Sequence, residues 1–152
     1  MASSTPLSLA EIADRLAIED LLTRYCQAID TRDWALLDTV FVTDAHIDYT
    51  SSGGVKGRYP EVRAWLAEVL PRFAMSQHLV TNKRIAIDGD AATSRAYFYN
   101  PMGSANPDGS LALFFVGGYY EDRLVRTAEG WRIRERIEKQ AWVDRTRASG
   151  AK

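Results

Sequence analysis

The sequence predicts an α+β fold in which three helices from the first half of the chain pack on the concave face of a curved, mixed β-sheet. The prediction rests on one long amphipathic pattern near the start, two shorter helical patterns after it, and a second half made of alternating strand patterns. A bent sheet capped by a long helix forms a cone-shaped barrel. Apolar cavities with a few inward polar groups are typical binding sites for small molecules.

The helical patterns occupy the first 71 residues. Ser8 and Glu11 have the spacing of a capping box, and apolar residues then recur at three- and four-residue steps. Residues 30–33 interrupt this pattern, and a short second helix is predicted after them. A third helix is predicted from Pro60, in the first turn, to Pro71.

Strand patterns begin at residues 45–50, where apolar and polar residues alternate before a glycine-containing turn, which predicts a hairpin. Four long antiparallel strands are predicted further along the chain, and glycine-containing turns join them in pairs. They cover residues 77–88, 91–100, 111–126 and 131–142. Residues 104–109, SANPDG, are predicted to form a loop at the edge of the enclosed space.

The length of 152 residues predicts a single domain, which we place at residues 8–145. Residues 1–7 are small and polar and are predicted to be disordered, and residues 146–152 are predicted to be flexible. The hydrophobic fraction of 46% and the charged fraction of 26% are typical of a globular protein.

Charge and cysteine content exclude several classes of function. Nineteen Lys and Arg residues against twenty Asp and Glu residues give a net charge of −1, so we expect neither a nucleic-acid partner nor a membrane partner. Cys26 is the single cysteine and cannot form an internal disulfide, which favours a cytoplasmic location. The sequence contains no GxSxG, phosphate-loop or GxGxxG motif, so we expect no cofactor.

Two histidines are candidates for proton transfer near neutral pH. His46 lies between Asp44 and Asp48 on a short strand, a pattern more typical of a solvated face than of a metal site, so no metal is expected. His78 begins a predicted inner strand, and Asn82 shares its face by the two-residue period. The alternative for His78 is a buried histidine that bonds to a backbone carbonyl.

The end of the first helix offers a partner for His78. Asp30 follows the apolar face directly and can approach the cavity from the helix side, although it can also cap the second helix. Tyr25 lies about 140° from Asp30 around the helix, at ~100° per residue. Both side chains therefore reach one pocket only if the helix unwinds near its end.

Aromatic residues crowd the predicted central strands. One parity set is predicted to line the cavity together with Tyr49 from the hairpin: Phe98, Asn100, Gly118 and Tyr120. The other set then faces outward and forms an apolar patch, which favours a homo-oligomer that associates through the sheet.

Four segments carry a family resemblance. They are RYCQAIDTRDWALLDTVFVTDAHIDY at residues 24–49, QHLVTN at residues 77–82, GDAATSRAYFY at residues 89–99 and GGYYEDRLVRTAEGWRIRERI at residues 117–137. Together they resemble the SnoaL-like branch of the nuclear transport factor 2 superfamily over almost the whole domain. Scytalone dehydratase, bile acid dehydratase and hexachlorocyclohexane dehydrochlorinase belong to that branch.

The resemblance implies a site and a reaction. It matches Asp30 and His78 to a catalytic dyad, Tyr25 to a catalytic tyrosine of some members, and Arg136 to an arginine that assists the leaving group. It implies a cofactor-independent, dehydratase-like elimination from a small hydrophobic substrate that is cyclic, polyketide-like or steroid-like, in a dimer or trimer. The alternatives are an isomerase, a cyclase, an epoxide hydrolase, or a non-catalytic module that binds small molecules or subunits.

Overall fold

The computed structural model describes residues 6–145. Within them lie three α-helices, α1 (Leu9–Thr31), α2 (Trp34–Asp38) and α3 (Tyr59–Val69). The strands are β1 (Phe41–Asp48), β2 (Lys56–Arg58), β3 (Met75–Ser76), β4 (Leu79–Asp88), β5 (Ala91–Ala105), β6 (Leu111–Thr127) and β7 (Gly130–Asp144). The terminal segments predicted to be disordered or flexible lie outside the described residues, except for residues 6 and 7.

Helix α1 begins and ends at defined caps. The Ser8 hydroxyl accepts from the backbone N–H of Glu11 at 3.2 Å, and the Glu11 carboxylate accepts from the backbone N–H of Ser8 at 2.8 Å. The helix stays regular to Thr31, and Arg32 then adopts the left-handed conformation with φ 57°. Asp30 therefore lies in the last turn of an intact helix, whereas Asp33 caps α2.

The strands form one sheet in the order β2-β1-β7-β6-β5-β3, and β4 also pairs with β5. Strand β1 runs parallel to β7 and the other pairs are antiparallel, so the sheet is mixed, as predicted. Its concave face carries the buried apolar residues, against which the helices pack, and the sheet does not close. Among residues 6–145, the structure contains no helix with the length and apolarity to cross a membrane.

The edge of the sheet beside β5 is interrupted near the centre of the fold. Ser76 pairs with Met102 of β5, and Leu79 pairs with Tyr99, so the edge passes from β3 to β4 at residues 77–78. His78 lies in this gap, and its backbone N–H is not engaged in a strand ladder. This position frees the N–H to bond elsewhere.

Several predicted boundaries were wrong. Strand β5 continues beyond Asn100 to Ala105, because its far end pairs with both β3 and β6, and this shortens the predicted loop to residues 106–110. The apolar pattern of the second helix runs on through Phe41, but the helix ends at Asp38 and Phe41 begins β1.

Candidate functional site

A cavity of about 290 Å³ lies between the helices and the concave face of the sheet. Aliphatic and aromatic side chains form most of its wall. Polar side chains that also reach the wall include Tyr25, Tyr49, His78, Asn100, Tyr120 and Glu138. An enclosure of this kind holds a small apolar molecule and gives it a few directed hydrogen bonds.

Asp30 holds His78 by two hydrogen bonds. The backbone N–H of His78 donates to Asp30 Oδ2 at 2.7 Å, and His78 Nδ1 lies 2.6 Å from Asp30 Oδ1. The Ser76 hydroxyl also donates to Asp30 Oδ1, at 3.1 Å. The carboxylate thus keeps a proton on Nδ1, fixes the plane of the ring, and stabilises a positive charge on the imidazole.

Asn100 lies beside the second ring nitrogen of His78, 3.1 Å from Nε2. With the Asn100 oxygen toward Nε2, its nitrogen donates to the carbonyls of Pro101 at 3.1 Å and Gln77 at 3.3 Å, and Nε2 carries a proton. With the amide turned over, its nitrogen donates to a neutral Nε2. The two orientations of one amide therefore suit both protonation states of His78.

Three tyrosines line the cavity together with His78. The Tyr25 hydroxyl is 2.9 Å from the Tyr49 hydroxyl, and the Tyr25 ring meets the rings of His78 and Tyr120 edge-on. Burial raises the pKa of all three phenols well above its ordinary value, so they keep their protons. Since the Tyr25–Tyr49 contact uses only one of two hydroxyl hydrogens, the other is available to a ligand in the cavity.

Arg136 lies behind the cavity wall. Its Nε and Nη2 donate to the two oxygens of Asp122, both at 2.7 Å, and the guanidinium stacks between the rings of Tyr25 at 4.0 Å and Tyr120 at 4.3 Å. The side chain is fully buried and does not line the cavity. The structure thus places Arg136 away from direct contact with a leaving group, because its cross-strand neighbour Asp122 engages the guanidinium.

Glu138 lies on the cavity wall, and the sequence prediction did not include it. It follows Arg136 by two residues on β7, and its Oε1 is buried without a hydrogen-bond partner among residues 6–145. Burial raises the pKa of this carboxyl, against the opposing effects of the Ser52 hydroxyl and the charges of His78 and Arg136. The two-residue period of a strand, applied from Arg136, is the signal that could have identified it.

Comparison with known proteins assigns the family. The model of the SnoaL-like domain matches residues 10–137. The chain belongs to the SnoaL-like domain family.

Individual proteins are also similar to this chain. This SnoaL-like chain is 45% identical over 136 residues to an uncharacterized protein of Mycobacterium tuberculosis (strain ATCC 25618 / H37Rv), an alignment that covers 90% of this chain and 91% of that protein. Among solved structures, a type 2 hexachlorocyclohexane dehydrochlorinase superposes with a TM-score of 0.77 at 20% identity, covering 89% of this chain and 90% of the other. A candidate scytalone dehydratase from Novosphingobium aromaticivorans gives 0.76 at 17% identity, covering 87% of each chain. These likenesses show the nuclear transport factor 2-like fold.

Of the ligand-binding residues predicted from the sequence of this SnoaL-like protein, Tyr49, Phe98, Asn100 and Tyr120 line the cavity. The prediction for Asn82 was wrong, because a bulge between Thr81 and Arg84 changes the strand parity and leaves Asn82 exposed, with φ 49°. Gly118 does not line the cavity either. A β-carbon there would lie 2.2 Å from the carbonyl oxygen of Lys139, so this glycine permits the close approach of β6 and β7.

Other reactive side chains lie outside the dyad. Cys26 is buried and its thiol donates to the Leu22 carbonyl at 3.3 Å, while burial raises its pKa to about 11. It is therefore a neutral thiol near pH 7. His46 lies half-buried on β1, outside the cavity wall. Residues 6–145 contain no cluster of three or more His, Cys, Asp or Glu side chains suited to hold a metal ion.

Proposed function

We propose that this protein is a cofactor-independent lyase of the dehydratase type. The observation that carries the proposal is the His78 imidazole, whose Nδ1 lies 2.6 Å from Asp30 while the ring borders an apolar cavity. A base oriented by a carboxylate and screened from bulk water suits abstraction of a carbon-bound proton.

The reaction begins at Nε2 of neutral His78. This nitrogen takes a proton from a carbon next to a carbonyl group, and Asp30 stabilises the imidazolium that forms. A hydroxyl of the Tyr25–Tyr49 pair donates to the carbonyl oxygen as negative charge develops there, a contribution of about 3 kcal/mol per donor in comparable sites. The resulting enolate then expels a leaving group from the adjacent carbon.

Arg136 acts on this reaction through the tyrosines. Its cation lies 4.0 Å from the centre of the Tyr25 ring and lowers the pKa of that phenol against the opposite effect of burial. A phenol beside a cation is a better hydrogen-bond donor. Arg136 is therefore a positioning residue, and the phenol is the group that touches the substrate.

The cavity suggests the substrate class. Its volume of about 290 Å³ and its largely apolar wall suit a cyclic or polyketide-like molecule with one carbonyl group. A steroid-like molecule also suits this site if part of its ring system extends out of the cavity.

An isomerase is the second candidate, and one observation favours it. Glu138 gives the cavity a carboxyl group on an inner strand, where an isomerase would place the base that moves a proton within one molecule. The products distinguish the two reactions, because elimination releases a second molecule and isomerisation does not.

The test uses 3-hydroxy-1-tetralone, a cyclic hydroxy ketone whose dehydration yields 1-naphthol, which absorbs and fluoresces. We expect wild type to form 1-naphthol, and His78→Ala to lose about 10²–10⁴-fold in kcat/KM while its melting temperature stays close to that of wild type. His46→Ala is the matched control, because it removes the second histidine, which lies outside the cavity. Equal rates for wild type and His78→Ala would exclude His78 from the mechanism.

We also propose a cytoplasmic location. The single cysteine is buried as a free thiol in the core, an arrangement suited to a reducing compartment. Fractionation of cells that carry a tagged copy would test this, and recovery in a membrane or secreted fraction would contradict it.

A further inference from the structure

Glu138 is the one carboxyl group on the wall of the cavity among residues 6–145. Its Oε1 is shielded from solvent and has no hydrogen-bond partner there. Leaving a buried polar atom unpaired is costly, so such an atom in a ligand cavity indicates a partner supplied by the ligand.

A structural ion pair does not account for Glu138. Arg136 lies two residues before Glu138 on the same strand, and both of its bonded nitrogens face Asp122 instead. The backbone around Glu138 is held in place: the Ser51 hydroxyl donates to the Glu138 carbonyl and accepts from the backbone N–H of Gln140, both at 2.9 Å. The carboxyl is thus fixed at the wall without a protein partner for Oε1.

The buried surroundings of Glu138 favour its protonated form. Tyr25, Tyr49 and Tyr120 face the same cavity as neutral phenols, and Asp48 adds a like charge on β1. Burial is the largest effect on the pKa of Glu138 and raises it, whereas the Ser52 hydroxyl and the charges of His78 and Arg136 lower it. The protonated carboxyl is the form that can donate a proton to a ligand in the cavity.

We propose that Glu138 is the general acid that protonates the departing oxygen, so that the substrate carries a hydroxyl as its leaving group. This inference rests on the proposed lyase function and specifies its substrate class as β-hydroxy carbonyl compounds. Hydroxide leaves poorly without a proton, whereas a halide leaves without one.

The step balances without any further reactant. His78 Nε2 takes the proton from the carbon, and the electrons of the C–H bond form the C=C bond. The C–O bond breaks, its electrons stay on the oxygen, and that oxygen takes the Glu138 proton and departs as water. The site is left with an imidazolium at His78 and a carboxylate at Glu138, and exchange with solvent water restores both groups.

The first experiment compares two leaving groups on one ring. Glu138→Gln is assayed with 3-hydroxy-1-tetralone and with 3-chloro-1-tetralone, which both give 1-naphthol, after subtraction of the spontaneous rate. We expect a loss of about 10²-fold or more in kcat/KM with the hydroxyl probe and less than about threefold with the chloride probe. His78→Ala should lose activity on both probes.

The control is Glu135→Gln, because Glu135 lies on the same strand but pairs with Arg123 outside the cavity, at 3.1 Å. It should leave both rates unchanged. Equal losses on the two probes in Glu138→Gln would make Glu138 a structural residue, and an unchanged rate with the hydroxyl probe would remove it from the reaction.

A binding measurement separates this inference from the proposed function. Titration calorimetry compares 2-tetralol with tetralin, which lacks the hydroxyl, on wild type and on Glu138→Leu. We expect wild type to prefer the alcohol by about tenfold, and the variant to lose that preference. If wild type shows no preference, the contact of Glu138 with the leaving oxygen is refuted. If the preference exists but neither tetralone probe reacts, the placement of Glu138 is supported and the proposed lyase function fails.

Discussion

Replacing Asp122 by asparagine removes the countercharge of Arg136 from the centre of the fold. Arg136 is 0% exposed and Asp122 is 3% exposed, and two bonds of 2.7 Å join them. In the variant, a guanidinium whose Nη1 already has no hydrogen-bond partner among residues 6–145 loses its carboxylate in a site that water does not reach. Breaking a buried pair from one side costs about 3–5 kcal/mol, a large part of the roughly 5–15 kcal/mol that stabilises a domain.

Urea unfolding followed by circular dichroism measures this loss. The matched control lies next to the pair on the same two strands: Arg123 and Glu135 face each other across β6 and β7, and the side chain of Arg123 is 77% exposed. Glu135→Gln should cost less than about 1 kcal/mol. A free-energy loss below about 1 kcal/mol for Asp122→Asn would refute our reasoning that the buried cation depends on this one carboxylate.

Three further predictions concern the dyad, the cavity acid and the outer face of the sheet. Asp30→Asn should keep the fold but lower kcat in the 1-naphthol assay about 10²–10³-fold, because an amide does not stabilise the imidazolium of His78; an unchanged kcat would contradict this. The pKa of Glu138 is raised from 4.5 in the folded chain, so the stability of wild type relative to Glu138→Gln should decrease as pH rises from 4.5 through the raised pKa; a difference in melting temperature that stays constant with pH would oppose it. We propose that a second copy of the chain covers the exposed Tyr97 and Tyr99. The double variant Tyr97→Glu/Tyr99→Glu should therefore sediment as a smaller species than wild type. Equal sedimentation coefficients would argue against such an oligomer.

Regular periodicity explains why most elements were predictable. The step of three and four residues in α1 and the capping box at Ser8 are local signals, and the structure reproduces both. The alternation in the second half predicted the faces of Phe98 and Tyr120 correctly, because β5 and β6 pair in register along this stretch. Asp30 and His78 were identified as a pair from the apolar face of α1 together with the family resemblance.

The wrong predictions arise where the backbone departs from a regular period. Asn82 has a positive φ at a bulge, and the sequence around it has no glycine to mark the irregularity. The helix was expected to unwind so that Tyr25 and Asp30 could share the pocket. Instead Tyr25 lies on the cavity wall, while Asp30 reaches it only through the ring of His78.

Arg136 and Glu138 show a different limit. The inward direction of both follows from a period of two, but the partner of each depends on which residue faces it across the strands. The strand register places Asp122 opposite Arg136 but Tyr120 opposite Glu138, whose Oε1 has no partner in the described part of the chain. Pairing of this kind is a tertiary property that single-strand patterns do not contain.

The gap between β3 and β4 couples the imidazole to the first helix. Because Asp30 binds both the main-chain nitrogen and the ring of His78, a small rotation of the last turn of α1 carries the whole residue with it and does not merely turn its ring. The Arg32 guanidinium at the cap of that turn donates to the carbonyl of Phe73, which anchors the helix end to the segment before β3. Substitutions at Arg32, which does not line the cavity, should therefore change the orientation of the His78 ring relative to the cavity.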